Sequence, residues 1–357
     1  MQILKFIMYL LLTFFGFGIL IFVHELGHYL TARACKVTIH EFAIGMGKRI
    51  AGFTSKKTGI KYSFRLLPIG GYVAMAGEDE GGEGSEDPNA FHRKNVYQKM
   101  LILVAGAGMN VLTGFLAMLV LTVGMSCAGY AMPSNVVGEF SLVGAPSDLT
   151  GLEVGDEILE INGTRVHTGY DLVYEITSQG YEPVNIVVKR DGQRMLIENV
   201  RFPVSNENGL MVGNRDFNVT EMEVTFPNLL KTTFYRSVSS IKMVFDSIGG
   251  MITGRYGVSD LSGPLGVAGM VSQVAEQPMA GWNYLYLFAI LAMNLGVMNL
   301  LPIPALDGGR LFFRIIEALR FGKPFKPELE AKIHGVGMVI LLALMVLIAF
   351  KDVFTLF

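Results

Sequence analysis

Cysteine is almost missing from this chain. Its two thiols, Cys35 and Cys127, cannot build a disulfide framework, and both sit beside apolar segments where a thiol behaves as a small hydrophobe. Charge is scarce as well: 17% of residues carry it, and 29 Lys and Arg against 31 Asp and Glu leave a formal charge of −2. Such a composition excludes a basic nucleic-acid binder, a disordered tail, a coiled coil and a collagen-like chain. Apolar residues are what the chain has in quantity. They make up 51% of its 357 residues, and the mean hydropathy of +0.44 is too high for an ordinary water-soluble domain. The chain reads as a membrane protein with some water-facing mass, long enough for two or three structural units.

Leu4 to Val23 is apolar apart from Lys5 and continues into His24-Glu25-Leu26-Gly27-His28 without an Ala-x-Ala-type cleavage site, so it reads as a retained span over about 4–30 rather than a signal peptide. Further apolar runs over about 100–127, 282–306 and 336–350 give four transmembrane helices. Lys and Arg close to the spans set the orientation: eleven lie between spans 1 and 2 and six between spans 3 and 4. The 2–3 connection holds ten in a far longer stretch, and between Ser134 and Thr225 it has fifteen acidic residues against six basic ones. This places the central segment and both termini outside and the two basic loops in the cytoplasm.

Within the first loop, Gly45 to Ala76 carries β-branched and aromatic residues punctuated by turn signals, as short strands at the membrane face would. The Gly- and Ser-rich acidic tract from Glu78 to Asp87 has nothing to bury and reads as a loop. The central segment has alternating strands at 184–189 and 195–200 and a Gly-Leu-x-x-Gly-Asp-x-Ile-Leu-x-Ile-Asn-Gly run from Gly151 to Gly163, whose Asn162-Gly163 is a hairpin turn signal. That run resembles a PDZ domain of the permuted type found in bacterial proteases, over about 133–215. The resemblance implies peptide capture by strand addition or size exclusion, against the plainer role of a spacer. Between 226 and 254, Leu230, Phe234, Val238, Ile241, Phe245 and Ile248 recur at helical spacing, which predicts an amphipathic interfacial helix that guides substrate or simply packs.

His24-Glu25-x-x-His28 puts two imidazoles on one helical face, where both can bind one zinc ion with Glu25 placed as general base. The spacing alone would arise by chance in roughly one chain in a few hundred. Its position changes the odds, because ionisable groups inside a span are expensive and functional by default. A catalytic zinc needs a third protein ligand, for which the candidate is Asp307 in Asn299-Leu-Leu-Pro302-Ile-Pro304-Ala-Leu-Asp307-Gly308-Gly309. Pro302 and Pro304 cannot continue a regular helix, so the backbone there opens into a stretch with which a peptide strand could pair. The plainer reading, proline and glycine ending a span, leaves Asn294, Asn299 and Asp307 unexplained. His40, His92, His167 and His334 read as surface or packing residues.

These motifs carry a resemblance over nearly the whole chain. His24 to His28 in span 1, Ala105-Gly106-Ala107-Gly108-Met109-Asn110 in span 2 and Asn299 to Gly309 in span 3 resemble the site-2 protease family. So do Glu41-Phe42-x-x-Gly45-x-Gly47 and Ser262-Gly263-Pro264-Leu265-Gly266, and the single PDZ-like domain between spans 2 and 3 is similar to that of the RseP-type bacterial intramembrane zinc proteases. The resemblance implies a Zn²⁺ cofactor held by His24, His28 and Asp307, with Glu25 as the catalytic base. It implies that Asn294 and Asn299 position substrate or catalytic geometry and that 45–76, with Gly70 and Gly71, is a membrane-associated β-loop presenting substrate as an added strand; Pro302 and Pro304, in the open stretch, are expected to position substrate too. The expected partners are single-span membrane proteins of the anti-sigma type, remnant signal peptides, a peptide ligand of the PDZ domain and the bilayer, with no nucleic acid. The expected location is the bacterial cytoplasmic membrane, with cleavage toward the cytoplasmic side. Ala107 departs from the proline frequent after that glycine, and the enterobacterial form has two PDZ domains rather than one.

Two rivals remain from other classes. A PDZ-bearing membrane adaptor with a purely structural metal site has no need of Glu25, and a transporter using the His and Asp as a relay is weakened by the lack of internal repeat symmetry.

Overall fold

In the computed structural model the described residues are 2–78, 84–207, 209–257, 260–323 and 325–356, so the acidic tract expected as a loop lies outside them from 79 to 83. The chain divides into two compact units, Met1–Gly114 with Tyr256–Phe357, and Phe115–Arg255.

The first unit opens with α1, Gln2–Ala34, whose length of about 50 Å at 1.5 Å per residue exceeds a bilayer's hydrocarbon thickness. Lys36, at φ +56°, turns the chain out of the helix while the Val37 N–H caps the Ala32 carbonyl. Two long strands follow, β1 Ile39–Thr54 and β2 Lys61–Met75. Both bend: Gly45 and Gly47 in β1 and Gly70 in β2 take positive φ, and each strand folds back beside the other. Phe42 is thereby paired with Val73 on one side and Tyr62 on the other, while Thr54 pairs with Lys61. Segment 71–75 ends up at one edge of this small sheet, with pairing only to 39–44 among the described residues. A short 3₁₀ turn, Phe91–Arg93, leads to α2, Val96–Cys127, which Asn95 caps by accepting from the Gln98 N–H at 2.8 Å. Tyr29, Phe42, Val73, Phe91 and Ile102 form the core that joins α1, the sheet and α2.

The second unit begins within α2 and is built on a twisted sheet. Its elements are β3 Met132–Phe140, α3 Pro146–Leu149, β4 Glu157–Ile161, β5 Thr164–Arg165, α4 Gly169–Gln179, β6 Val184–Arg190, β7 Gln193–Val200, β8 Val204–Glu207, β9 Leu210–Gly213 and β10 Phe217–Met222. The strand order is β10-β3-β4-β6-β7 with β5 paired to β4, and β8 and β9 form a separate hairpin. The motif run places Leu152, Ile158 and Ile161 fully inside the core, each contributing about 1.5–3 kcal/mol by leaving water. Asn162 at φ +46° and Gly163 at φ +81° make the tight turn that the pair predicted. The fully buried Asp156 is gripped by Arg190 through two hydrogen bonds of 2.7 Å.

Helix α5, Phe226–Thr253, starts at the Thr225 cap and ends on Gly254 at φ +79°. One face lies along α4. The Tyr235 ring stacks on His167, Arg236 covers the Tyr170 ring, Ser239 donates to Asp171 at 3.0 Å and Lys242 pairs with Glu175 at 3.1 Å. Phe226, Leu230, Phe234, Val238 and Phe245 are exposed on the opposite side.

The chain then returns to the first unit through α6, Pro264–Ala275, a short apolar helix absent from the sequence reading. Its first N–H groups, of Gly263 and Gly266, donate to Asp352 Oδ2 at 2.9 Å each. Next come α7 Ala280–Leu300, α8 Asp307–Leu319 and α9 Pro327–Leu356. Span 3 was expected to run to 306. The helix stops six residues earlier because Leu301, placed before Pro302, is driven to ψ 145°. Among the described residues four helices are long and apolar enough to cross a bilayer: Ile7–Ala34, Val96–Cys127, Ala280–Leu300 and Glu328–Phe354.

Candidate metal centre

His24 and His28 lie one turn apart on α1, with ring centroids 4.7 Å apart and planes nearly perpendicular, so both Nε2 atoms point to one place at a separation of 3.1 Å. Asp307, the first residue of α8, brings its Oδ2 to 2.9 Å from His24 Nε2 and 3.2 Å from His28 Nε2. The non-helical stretch 301–306, which contains Pro302 and Pro304, delivers that carboxylate. Three donor atoms in such a triangle share a point about 2 Å from each, which is the length of a zinc bond to imidazole nitrogen or carboxylate oxygen. Among the described residues no other set of three His, Cys, Asp or Glu side chains converges in this way.

The surroundings favour the same use of the two rings. His28 Nδ1 lies 2.8 Å from the Ile102 carbonyl of α2, an acceptor only, so Nδ1 carries the proton and the Nε2 lone pair is left for a metal. The ring rests against Gly106, where a Cβ would come within 2.3 Å of His28 Nε2; any side chain there would push α2 off the imidazole. His24 Nδ1 sits 3.5 Å from the side-chain amides of Asn110 on α2 and Asn299 on α7. Asn110 is fully buried and its Oδ1 has no partner. A half-turn of that amide presents Oδ1 to a protonated Nδ1, which pairs the orphaned oxygen and frees His24 Nε2 as a ligand.

Glu25 projects from α1 against the edge segment of the hairpin, where a Cβ on Gly71 would lie 3.0 Å from Glu25 Cγ and 3.0 Å from the Ala43 carbonyl oxygen. Gly70, next to it at φ +81°, packs on the Met46 side chain. Asn294, also on α7, has a buried Oδ1 with no hydrogen-bond partner. Arg310 of α8 pairs with Glu78, just beyond β2.

The structure thus brings together His24, His28 and Asp307, sets Asn299 on the His24 ring and Gly71 on Glu25, and leaves the Asn294 Oδ1 without a hydrogen-bond partner. Sequence reading missed Asn110, the Ile102 carbonyl, Gly106 and the Glu78–Arg310 pair. Asn110 did leave a signal as the amide closing a small-residue run inside an apolar span. Of the remaining histidines, His92 Nδ1 lies 3.2 Å from the Gly77 carbonyl, His167 stacks on Tyr235, His40 has a buried Nε2 without a partner, and His334 Nδ1 accepts from the Ala305 N–H at 3.1 Å.

A family model described as Peptidase family M50 matches residues 12–344. A Clostridium acetobutylicum protein whose name carries zinc metalloprotease as a provisional assignment is 34% identical over 348 residues, covering 96% of this chain and 97% of its own. The zinc metalloprotease RasP of Geobacillus kaustophilus is 30% identical over 414 aligned positions, with 94% and 96% coverage. The regulator of sigma-W protease RasP of Bacillus subtilis is 29% identical over 424, with 96% and 97% coverage.

Proposed function

The chain belongs to peptidase family M50, the site-2 proteases, and from that membership we propose how its residues divide the work of a zinc metalloprotease of the membrane. His24, His28 and Asp307 hold the zinc. The observation that carries this assignment is the convergence of two Nε2 atoms and one Oδ2 within 3.2 Å of one another. When bound, zinc supplies Lewis acidity, which sharpens the electrophilicity of a peptide carbonyl and acidifies water. Ile102 and Asn110 or Asn299 fix the imidazole tautomers that expose the ligating nitrogens.

Glu25 is the general acid–base group. Its carboxylate takes a proton from the attacking water as the carbon–oxygen bond forms, then gives that proton to the leaving amine as the carbon–nitrogen bond breaks. It lies beside Gly71 on the edge of the hairpin sheet. A peptide added to segment 71–75 as a further strand would pass next to the Glu25 carboxylate, and the turn that holds Pro302 and Pro304 lies at the metal side. The buried, unpartnered Oδ1 of Asn294 is free to take a hydrogen bond from substrate. A substrate must leave its helix first, because a helix hides its carbonyls in internal hydrogen bonds. The substrates are accordingly single-span membrane proteins with helix-weakening residues, of the anti-sigma type, or remnant signal peptides.

The positive-inside distribution of Lys and Arg puts the hairpin and α8 in the cytoplasm and the sheet domain outside, in a bacterial cytoplasmic membrane. The sheet domain is a PDZ domain. Support comes from the glycine-flanked motif buried around Asp156, the tight turn at Asn162 and the free edge of β10, to which a peptide end could add.

The test is cleavage of a single-span reporter in liposomes by the wild type and by Glu25→Gln, with zinc determined on both. Cleavage lost with zinc retained supports the assignment. Zinc in both samples and no cleavage of any trimmed single-span reporter would leave a PDZ-bearing adaptor with a structural metal.

A further inference from the structure

Asp307 reaches its place through a backbone that would not adopt its shape unaided. In the stretch 301–306 between α7 and α8, Ala305 sits at φ +79°, the left-handed region that a residue with a Cβ enters only against steric resistance. Nothing in the residue type favours that conformation, so the surroundings must impose it.

The imposing surface is one face of α9. His334 and Gly337, three residues apart and therefore neighbours on that face, contact the two consecutive residues Ala305 and Pro304. His334 Nδ1 accepts the Ala305 N–H at 3.1 Å. At Gly337 the helix backbone itself lies on Pro304, since a Cβ there would fall 2.3 Å from Pro304 Cβ and 2.9 Å from the Pro304 carbonyl. The imidazole is wedged against the Phe313 ring of α8, with centroids 5.6 Å apart. An accepting Nδ1 requires the proton on Nε2, which is buried and faces Glu330 Oε1 at 4.0 Å. Glu330 is in turn paired with Arg314 of α8. Arg314, Glu330, His334 and the Ala305 N–H thus line up around the turn, joined by hydrogen bonds except at the 4.0 Å gap between Nε2 and Glu330, and both ends belong to the segment that carries Asp307.

We propose that His334 is a positioning residue for the metal centre: its Nδ1 holds Ala305 in the left-handed turn that delivers Asp307 Oδ2 to the two histidine nitrogens. His334 touches neither the metal nor the substrate. The inference rests on Asp307 being a zinc ligand, and the experiment separates the two claims.

The full-length protein in liposomes is loaded with zinc, and release to a chromophoric chelator is timed alongside kcat and KM on a single-span reporter. The variants are Asp307→Asn, His334→Ala, His334→Asn, His334→Gln, and His334→Ala combined with Ala305→Gly. Loss of the Ala305–His334 hydrogen bond should speed zinc release in His334→Ala by roughly 10- to 100-fold and lower kcat with little change in KM. His334→Asn should restore slow release, because its Oδ1 takes the place of Nδ1, whereas His334→Gln should not. Adding Ala305→Gly to His334→Ala should recover part of the loss, because glycine enters the left-handed region without resistance. Normal zinc release from His334→Ala, with fast release from Asp307→Asn, overturns the proposal and leaves the ligand set standing. So does an Asn variant as damaged as the Ala variant, which would reduce His334 to packing. Zinc held by Asp307→Asn as tightly as by the wild type overturns the ligand assignment and this inference with it.

Discussion

The two units differ in what they leave outside. In the sheet unit Leu152, Ile158, Ile161, Leu172, Ile176 and Ile186 are fully enclosed beside the buried Asp156, Asp171 and Glu175, and the segment that contains them carries a large excess of acidic residues. In the helical unit His28, Lys99, Asn110 and Glu317 are buried, while Leu11, Phe15, Val339, Leu342 and Leu347 are exposed. Lys99 and Glu317 answer each other at 3.2 Å, as buried charges must. The difference is one of solvent. A domain facing water gains by hiding apolar surface, whereas helices facing hydrocarbon gain nothing by it and leave large apolar side chains outside.

If that contrast is correct, the largest effect belongs to a polar group inside the helical unit. Glu25→Gln should lower peptide cleavage by about 10²- to 10⁴-fold, measured on a single-span reporter, while zinc content and hydrogen exchange of the sheet unit stay at wild-type values. The same truncation should then weigh differently in the two units. Ile158→Ala, at a fully buried position, should destabilise the sheet unit by about 2–5 kcal/mol, whereas Leu347→Ala, on an exposed face of α9, should change stability by less than about 0.5 kcal/mol, both read by hydrogen exchange in liposomes. Equal costs would break the comparison. Asn110→Ala sharpens it, since the amide contributes through the His24 ring rather than through packing. Zinc affinity should fall roughly 10-fold or more in chelator competition, with the thermal midpoint little moved.

The smallest effect concerns acid. Burial raises the Glu41 carboxyl, but hydrogen bonds from Ser63, Tyr72 and Arg65 outweigh it and hold the group below its ordinary value of 4.5. A carboxylate lowered in the folded state stabilises above its unfolded value and loses that contribution as pH falls through the lowered one. Exchange of the hairpin amides should therefore quicken below about pH 4.5 in the wild type and show no such step in Glu41→Gln.

Much of this molecule was legible in its sequence where the signal is local. The spans show as apolar runs, the two histidines share a helical face by spacing, and Asn162-Gly163 announces its turn. The apolar stripe of α5 likewise lies within one segment. What escaped depends on contacts between distant segments. Asn110 and His24 are separated by 86 residues and meet only once α2 packs on α1 at Gly106. Helix α6 is 12 residues long, too short to cross a bilayer, and takes its start from Asp352, 86 residues beyond Gly266. His334 read as a packing residue because the partner that gives it a task is a backbone N–H, and alanine offers no hint that its φ is positive.

The open edge at 71–75 has one more consequence. Main-chain pairing is indifferent to side-chain identity, because every peptide offers the same N–H and carbonyl groups. An enzyme that took its substrate there would draw no choice from those main-chain bonds. What they would impose is a wait, until a membrane segment spends long enough uncoiled to be caught. Selectivity at this edge would then reside in the lifetime of a guest's helix, and a protein would escape by staying wound.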